Sequence, residues 1–364
     1  MKIGILGTRG IPNHYGGFEQ FAEYLAKYLV RKGHEVIVYN SHLHPYQEKV
    51  WKGVQLVHKF DPEDRIGTAG QFIYDLNCIL DSRSRNFDIL LQLGYTSSSI
   101  WGKLLPKSST IITNMDGLEW KRTKYSPKVK RFLLWAEKLG VKYSDYLISD
   151  SVGIQKYLLE KYKVKSTFIP YGSHNVENYS LDIIKRYKVD AYQYSMLIAR
   201  LEPENSIEII LDGVKRINHA TPFLVVGKHN TKYGEYLKTK YSGESSIKFL
   251  GGIYDIEELN SLRYFSKVYF HGHTVGGTNP SLLEAMGSGA LICANDNIFN
   301  KSILGEDALY FSNSNDVLKV LSLDKIESRK ETINNNYKKI EENYNWDKIV
   351  TEYEQLFFTC SKRL

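Results

Sequence analysis

Two hydrophobic periods alternate along most of the chain. Short runs of aliphatic and β-branched residues, typical of buried strands, are followed by segments in which apolar residues recur at helical spacing. The first strand covers residues 2–6, the helix FEQFAEYLAKYLVRKG follows and ends at Gly33, and HEVIVY forms the next strand. This βαβ pattern predicts the opening of a doubly wound parallel sheet.

The pattern repeats and then restarts after a polar interval. Further strands are predicted over residues 55–59, 88–93, 110–114, 146–150 and 166–170, then over 194–200, 222–226, 247–250, 267–270 and 290–294, with a helix over 206–218. Residues 171–187 are polar and rich in turn formers. We therefore predict two Rossmann-like α/β domains, residues 1–172 and 191–344, joined by a linker over 173–190.

The last segment, residues 345–364, contains WDKIVTEYEQLFFTC, whose apolar residues lie on one helical face. Such a face must be buried against other structure. Two surfaces are open for this face: the N-terminal domain, if the helix packs back on it, and the helix's own domain.

Composition limits the number of domains and the cellular compartment that we expect for the protein. A chain of 364 residues is long enough for two hydrophobic cores. The cysteines Cys78, Cys293 and Cys360 are widely separated and have no metal-ligand spacing, which indicates reduced thiols in the cytoplasm. MKIGILG already reads as a strand and turn, which leaves no room for a signal peptide. No apolar run reaches the roughly 20 residues that span a bilayer.

The net charge of +7 is modest, but it is concentrated in one segment. Ser126 as N-cap and Pro127 predict a helix whose apolar residues recur at helical spacing. That segment carries the basic residues Lys121, Arg122, Lys124, Lys128, Lys130 and Arg131, and the apolar residues Val129, Phe132, Leu133, Ala136 and Leu139. A basic amphipathic helix can lie on anionic lipid, and the alternative is a core-facing helix with a solvated basic face. No nucleic-acid-binding module is recognisable, so nucleic acid is not an expected partner.

The stretch HGHTVGGTNPSLLEAMGSGA, residues 271–290, joins a strand to a helix through a glycine-rich loop. Asn279 is the predicted N-cap, and Pro280 opens the helix. A helix N-terminus presents unpaired N–H groups and partial positive charge, which suit an anion such as a diphosphate. Glu284, one turn further on, is placed to accept hydrogen bonds from sugar hydroxyls. An ordinary strand-to-helix turn of an α/β domain is the alternative interpretation.

Two other strand ends carry candidate chemistry. The loop after residues 2–6 contains Gly16 and Gly17, but it lacks the G-x-G-x-x-G fingerprint, so NAD binding is not predicted. Asp116 follows the strand over 110–114, at the sheet edge where ligands bind in open α/β folds. An Asp-Gly pair is also common in ordinary turns.

Four motifs occur in the order found in retaining GT-B glycosyltransferases: GTRGIPNHYGGFE, NMDGLEWKR, ARLEPEN and GGTNPSLLEAM. On these motifs, nearly the whole chain resembles that class, and within it the bacterial β1,4-rhamnosyltransferases of polysaccharide assembly. The resemblance implies a GT-B fold, two Rossmann-like doubly wound parallel-sheet domains with an interdomain cleft. The N-terminal domain would face the acceptor, and the C-terminal domain would bind the nucleotide sugar.

The resemblance also implies residue roles. Glu284 resembles the glutamate that holds the nucleotide ribose, and Arg200 resembles the basic residue that neutralises the departing diphosphate. The implied donor-binding residues are Gly16, Gly17, Arg200, Glu204, Lys228, Thr278, Asn279 and Glu284, the acceptor-side residues are Tyr15, Glu19 and Trp120, and the catalytic residues are Asp116 and Arg200. No metal site is expected, because no Asp-x-Asp pair lies between a strand and a helix.

The chain departs from the wider class at three positions. Gly276 replaces a second glutamate, and Asn205 replaces a lysine. Lys228 is the candidate replacement for that lysine, with a solvated loop residue as the alternative. Asp116 stands where many relatives have a histidine; an ionised aspartate there could orient or deprotonate an acceptor hydroxyl, or stabilise positive charge at the anomeric carbon.

The resemblance implies a cytoplasmic enzyme, peripheral on the inner face of the plasma membrane, that moves L-rhamnose from dTDP-β-L-rhamnose to a lipid-diphosphate-linked sugar. The product would be a β1,4 linkage in a surface polysaccharide, with the nucleotide sugar as substrate and no cofactor. Three alternatives stay open: a hexosyltransferase that uses a UDP-sugar, a nucleotide-sugar epimerase, and a non-catalytic protein that binds sugar nucleotides.

Overall fold

The computed structural model describes residues 1–14, 16–115, 117–122, 125–217, 221–323 and 329–361. These residues form two compact units, each built around its own sheet. The first unit comprises Met1–Trp120, Tyr125–Tyr171 and Trp346–Leu364, and the second comprises Lys121–Lys124 and Gly172–Asn345.

The sheet of the first unit has eight strands in the order β3-β4-β2-β1-β5-β6-β7-β8. All neighbours pair in parallel except β3 and β4, which pair antiparallel at the edge. The strands are β1 Lys2–Leu6, β2 Glu35–Ser41, β3 Val50–Trp51, β4 Val54–Lys59, β5 Ile89–Leu93, β6 Thr110–Asn114, β7 Tyr146–Ser149 and β8 Thr167–Phe168. Every residue of β5 and β6 is buried, as expected for central parallel strands covered on both faces.

Helices cover this sheet. They are α1 Gly17–Arg31, α2 Glu63–Ile66, α3 Gly70–Ser82, α4 Pro127–Tyr143 and α5 Val152–Tyr162, with 3₁₀ turns over Gly67–Ala69, Ser99–Leu104 and Glu119–Lys121. Serine side chains cap the N-termini of two of these helices, α4 and α5. The hydroxyl of Ser126 accepts a hydrogen bond from the backbone N–H of Val129, so the predicted N-cap of α4 is confirmed.

The apolar stripe predicted on α4 is only partly buried. Leu133 and Ala136 lie in the core, whereas Val129 remains 39% exposed. The side chain of Trp135 is also exposed, at 51%, beside the exposed basic residues Lys128 and Arg131. In the part of the chain that the structure describes, no helix is long and apolar enough to cross a membrane.

The second unit contains a six-stranded, fully parallel sheet in the order β11-β10-β9-β12-β13-β14. Its strands are β9 Ser195–Ile198, β10 Phe223–Val226, β11 Ile247–Gly251, β12 Tyr269–His271, β13 Ile292–Asn295 and β14 Leu309–Phe311. Its helices are α6 Leu181–Arg186, α7 Ile207–Val214, α8 Lys232–Lys240, α9 Ile256–Tyr264, α10 Pro280–Gly287, α11 Ile298–Leu304, α12 Ser314–Leu321 and α13 Arg329–Lys339. A 3₁₀ turn over Pro203–Asn205 precedes α7, and a π-helical turn over Ile340–Tyr344 follows α13.

Residues 173–190, the predicted linker, lie within the second unit. Their helix α6 buries Ile184, and the hydroxyl of Tyr187 donates to Glu258 Oε1 of α9 at 2.8 Å. Although its composition is polar, this segment is therefore packed into the second unit.

The C-terminal helix α14, Trp346–Cys360, belongs to the first unit. Its apolar face is buried there: the Trp346 indole stacks on the ring of Tyr24 with centroids 4.3 Å apart, and the Tyr353 hydroxyl accepts a hydrogen bond from Asn114 Nδ2 at 3.1 Å. The His34 Nε2 atom lies 2.8 Å from Glu354 Oε1. The helix thus joins the unit that holds the N-terminus of the chain.

Candidate functional site

The junction between β12 and α10 in the second unit combines a sharp loop with a capped helix. Asn279 Oδ1 accepts a hydrogen bond from the Ser281 backbone N–H at 3.0 Å, and Pro280 occupies the first helical position. The predicted N-cap is therefore confirmed. Thr278, just before the cap, is buried. The remaining N–H groups of the first turn give this end the partial positive charge that favours an anion.

Glycine is required where the loop leaves β12. A Cβ atom built on Gly272 would lie 2.0 Å from the carbonyl oxygen of Asn205, so no larger residue fits without a backbone shift. Thr274 is tied to the same region, because its backbone N–H and its hydroxyl both donate to the carbonyl oxygen of Glu204, at 3.1 and 2.8 Å. The loop is held closely against the 3₁₀ turn before α7.

The far side of the loop is also fixed. The side-chain amides of Asn297 and Asn300 both donate to the carbonyl oxygen of His273, at 3.0 and 3.1 Å. Asn297 caps α11 as well, since its Oδ1 accepts from the N–H groups of Phe299 and Asn300. The residues from 272 to 274 are therefore anchored on two sides by hydrogen bonds within the second unit.

Glu284 makes a buried charge contact within this unit. Arg263 of α9 donates from its Nη2 to Glu284 Oε2 at 2.6 Å, although the Arg263 side chain is only 1% exposed. Arg263 Nη1 also donates to Asn260 Oδ1 at 3.3 Å, and the guanidinium lies 5.9 Å from the centroid of the Tyr269 ring. A charge-assisted hydrogen bond of this kind orients the carboxylate.

Sequence reasoning missed Arg263. The available signal was a basic residue on the apolar face of an amphipathic helix, next to Leu259 and Leu262, which are both buried. A charged side chain at such a position needs a partner, and the partner is the candidate ribose-binding glutamate.

Two histidines flank Gly272. The rings of His271 and His273 stack with centroids 4.4 Å apart and an interplanar angle of 15°. Burial lowers the pKa of the His273 imidazole to about 3, with Arg200 and Arg122 adding to the effect. Burial likewise holds the pKa of His271 well below its ordinary value, with further contributions from His273 and Arg263. Both rings are therefore neutral at physiological pH.

Arg200 follows β9 and is exposed. Its carbonyl oxygen accepts from Asn205 Nδ2 at 2.7 Å, so the residue found in place of the expected lysine secures the Arg200 backbone. Glu204, one of the implied donor-binding residues, lies with its carboxylate 3.8 Å from Arg122 Nη1. Arg122 therefore adds a second guanidinium, besides that of Arg200, to the candidate donor-binding residues. The spacing of the NMDGLEWKR motif alone did not predict this contact.

Lys228 lies in the loop after β10 and is exposed. Its ammonium group is 5.6 Å from the centroid of the Tyr254 ring, and Tyr254 is itself 69% exposed. This geometry gives Lys228 an aromatic neighbour at the surface.

Among the candidates in the first unit, the two glycines stand at the start of α1. Gly16 is its N-cap, and Gly17 is its first residue. Glu19, in the first turn, is buried, and its Oε1 accepts from the backbone N–H of Arg9 at 2.9 Å. Glu19 therefore ties the loop after β1 to α1, a structural contact that its predicted acceptor-side role did not include.

Trp120 lies in an apolar cluster of the first unit, beside a buried carboxylate network. The ammonium of Lys161 is 5.5 Å from the Trp120 ring and donates to Glu137 Oε1 at 2.8 Å. Tyr157 and Tyr162 donate to the same oxygen at 2.7 and 2.6 Å. These contacts fix the end of the motif that contains Asp116.

Asp116 and Tyr15 lie outside the described residues. Within the ranges described, no cluster of three or more histidine, cysteine, aspartate or glutamate side chains could hold a metal ion. The second unit thus brings Thr278, Asn279 and Glu284 to one strand–helix junction. Gly16, Gly17, Glu19 and Trp120 belong to the first unit.

The chain is similar in sequence to one described family and to a glycosyltransferase. The model of a family described as "Domain of unknown function (DUF1972)" matches residues 1–174. The chain is also similar to an uncharacterized glycosyltransferase from Methanocaldococcus jannaschii, with 27% identity over an alignment of 311 residues, and the match covers 77% of this chain and 74% of the relative.

Two solved structures resemble the whole chain. Sucrose-phosphate synthase from Thermosynechococcus elongatus superposes with a TM-score of 0.80 at 16% identity, over 98% of each chain. HepE from Anabaena, in complex with UDP-glucose, superposes with a TM-score of 0.77 at 14% identity, over 98% of this chain and 99% of that one. At these identities the likeness establishes the fold. The chain has the α/β fold with two parallel sheets of the GT-B glycosyltransferases, and the predicted fold class is confirmed.

Proposed function

We propose that the protein is a glycosyltransferase that takes a sugar from a nucleotide sugar bound to its second unit. The observation that carries the proposal is the capped N-terminus of α10 with the buried Arg263–Glu284 pair in the same unit. The helix end offers N–H donors to a diphosphate, and the oriented carboxylate offers acceptors to ribose hydroxyls. The likeness to sucrose-phosphate synthase and to HepE with UDP-glucose supports the same assignment.

Arg200 supplies the charge that the departing nucleoside diphosphate requires. As the bond between the anomeric carbon and the diphosphate oxygen breaks, negative charge collects on that oxygen, and a fixed cation stabilises it. The acceptor hydroxyl oxygen forms the new bond to the anomeric carbon, and its proton passes to the carboxylate of Asp116 or to the departing diphosphate oxygen. Lys228 lies in the same unit and adds positive charge for the diphosphate.

The donor we propose is dTDP-β-L-rhamnose, transferred with retention to give a β1,4 linkage in a surface polysaccharide. The support is the resemblance carried by the four sequence motifs. Gly276, which takes the place of a second glutamate, accords with a donor sugar that differs from that of the wider class.

The acceptor we propose is a sugar on a lipid diphosphate, reached from the inner face of the plasma membrane. The support is the exposed face of α4, where the Trp135 indole lies beside the basic residues Lys128 and Arg131. Aromatic and basic side chains together favour the surface of an anionic membrane. Tyr15, Glu19 and Trp120 remain the proposed acceptor-side residues.

The experiment that tests the donor assignment is a panel of nucleotide sugars. Purified protein is incubated with a lipid-linked sugar acceptor and with dTDP-β-L-rhamnose or UDP-glucose, and released nucleotide and extended acceptor are both measured. Transfer from dTDP-β-L-rhamnose supports the assignment. Transfer from UDP-glucose with none from dTDP-β-L-rhamnose would refute the rhamnose donor and leave a glycosyltransferase.

That second outcome corresponds to the alternative we retain, a hexosyltransferase with a UDP-sugar donor. It is favoured by the likeness to HepE, which was solved in complex with UDP-glucose. Incubation of the donor alone separates both from an epimerase, because only an epimerase would convert the donor sugar to an isomer without an acceptor.

Asp116 is the proposed catalytic carboxylate that acts on the acceptor hydroxyl or on charge at the anomeric carbon. Replacement by asparagine keeps the shape of the side chain and removes its negative charge. We expect Asp116→Asn to lower the transfer rate about 100-fold or more, in line with general acid–base contributions. An unchanged rate would exclude a catalytic role for this residue.

A further inference from the structure

The stacked histidines at the end of β12 contain buried polar atoms that none of the described residues satisfies. His271 is 1% exposed, and in the part of the chain that the structure describes neither its Nδ1 nor its Nε2 has a hydrogen-bond partner. The buried Nδ1 of His273 has none there either. An unmet buried donor or acceptor costs about 1–3 kcal/mol, so a fold that keeps several at one place requires an explanation.

The position of these rings is fixed before any ligand arrives. Gly272 lies against the carbonyl of Asn205, the His273 carbonyl accepts two side-chain amides, and Thr274 is bound twice to the Glu204 carbonyl. A side chain on such an anchored backbone is pre-organised, so it loses little freedom when it binds a ligand.

Charge decides what kind of ligand fits. Both imidazoles are neutral, because desolvation and the nearby guanidinium groups of Arg200, Arg122 and Arg263 lower their pKa values. A neutral imidazole offers one N–H donor and one bare nitrogen acceptor. A sugar hydroxyl is likewise both donor and acceptor and carries no charge, whereas a diphosphate only accepts and is better matched by guanidinium groups and helix N–H groups.

We propose that His273 Nδ1 binds a hydroxyl of the sugar moiety of the nucleotide sugar, and that the His271 ring, stacked behind it, is a positioning residue. The inference rests on the proposed function and assigns the recognition of the donor sugar to this pair. The diphosphate is left to Arg200 and the N-terminus of α10.

The test separates sugar binding from diphosphate binding. Titration calorimetry measures the affinities of wild type and His273→Phe for dTDP-β-L-rhamnose, UDP-glucose, dTDP and UDP. Phenylalanine preserves the aromatic stack and removes both nitrogens. We expect the nucleotide sugar that wild type binds to bind His273→Phe about 5-fold more weakly, the effect of one neutral hydrogen bond, with the matching nucleoside diphosphate within 2-fold of wild type.

His174→Phe is the matched control, because it makes the same exchange at an exposed histidine of the second unit, and we expect both affinities to stay within 2-fold of wild type. His271→Phe keeps an aromatic ring behind His273, so we expect it to lose less nucleotide-sugar affinity than His273→Phe. His271→Ala removes the stacking ring, and we expect it to weaken nucleotide-sugar binding selectively. Thermal melting verifies that each variant is folded.

Results that differ from these expectations would overturn either the sugar contact, its assignment to His273, or the proposed function. Unchanged nucleotide-sugar affinity in His273→Phe, or an equal loss for the diphosphate, would overturn the contact with the sugar. If His271→Phe lost nucleotide-sugar affinity as strongly and as selectively as His273→Phe, the assignment of the sugar contact to His273 Nδ1 would be overturned. Failure of wild type to bind any of these nucleotide sugars would instead refute the proposed function.

Discussion

Arg263 donates a hydrogen bond to Glu284 at 2.6 Å from within the core of the second unit, where the arginine side chain is 1% exposed. The glutamate side chain keeps 20% of its surface exposed. The pair therefore joins a buried guanidinium to a carboxylate that solvent still reaches. This relationship explains how a glutamate one turn into α10 holds a fixed orientation.

Loss of the carboxylate should affect both stability and binding. Glu284→Ala leaves the Arg263 charge buried without this partner, and breaking a buried pair in this way typically costs about 3–5 kcal/mol. Because Glu284 is partly exposed, we expect the free energy of unfolding in urea to fall by about 3 kcal/mol, and nucleotide affinity to fall about 10-fold. The matched control is Glu306→Ala, at an exposed position of the same unit, which should leave both quantities unchanged. Equal effects in the two variants would contradict the role of the pair.

Arg200 is predicted to act on the diphosphate. We expect Arg200→Ala to weaken binding of the nucleoside diphosphate about 10-fold and to slow transfer by a larger factor, because charge on the leaving oxygen grows in the transition state. Steady-state kinetics and calorimetry measure the two effects. Arg216→Ala, a second exposed arginine of this unit, is the control. A loss of affinity with no loss of maximal rate would show that Arg200 does not stabilise the leaving group.

Close backbone packing makes Gly272 sensitive to substitution. In Gly272→Ala the new methyl group would overlap the Asn205 carbonyl oxygen, at 2.0 Å, and the loop must shift. Overpacking of this kind costs about 1–3 kcal/mol, and the shift should also weaken nucleotide-sugar binding. Gly243→Ala is the matched control, since a Cβ atom there meets no atom within 4 Å. Chemical denaturation of both variants gives the comparison, and similar stabilities would rule out the close contact.

The buried carboxyl of Asp75 in α3 should make the stability of the protein depend on pH. Complete burial raises the pKa of its carboxyl to about 7; the hydroxyl of Ser97, which donates to Oδ2, opposes this effect, and the nearby Asp61 reinforces it. The folded protein therefore keeps this proton at pH values where the unfolded chain has released it. The stability that the proton contributes is complete below about pH 4 and is lost as the pH rises through about 7.

Asparagine in place of Asp75 cannot ionise, so this loss should disappear. We expect Asp75→Asn to gain stability relative to wild type between pH 4 and pH 8, by more than about 1.4 kcal/mol, the equivalent of one pKa unit. Urea denaturation at several pH values measures the difference. Asp182→Asn, at a side chain that is 83% exposed, should show no such trend. A constant difference between Asp75→Asn and wild type would mean that Asp75 titrates normally.

Local signals in the sequence predicted the parts of the fold that depend on neighbouring residues. Ser126 and Asn279 cap their helices as expected, because an N-cap side chain bonds to an N–H only two or three residues away. The alternation of periods predicted two parallel sheets, since parallel strands buried on both faces carry nearly continuous apolar runs. The antiparallel edge strand β3 was missed because its two residues are too few to show a period.

The candidate site was harder to predict, because it depends on contacts between residues that are distant in sequence. Glu284 was identified through its place in a motif, but its partner Arg263 lies on a different helix, 21 residues earlier. Helical spacing predicted an apolar stripe on α4, but it does not show how far other elements extend over that stripe, and Val129 stays exposed while Leu133 is buried. The ring nitrogens of His271 and His273 that have no partner among the described residues follow from the packing around β12, which periodicity does not describe.

The most direct test of the account is mass spectrometry of a defined lipid-diphosphate-linked sugar acceptor after incubation with the protein and dTDP-β-L-rhamnose. The account predicts that the acceptor gains the mass of one deoxyhexose, that dTDP is released in equal amount, and that both changes are about 100-fold slower or more with Asp116→Asn at the same enzyme concentration. An acceptor of unchanged mass with every nucleotide sugar supplied, in the presence of folded protein, would contradict the assignment of the chain as a glycosyltransferase of lipid-linked sugars.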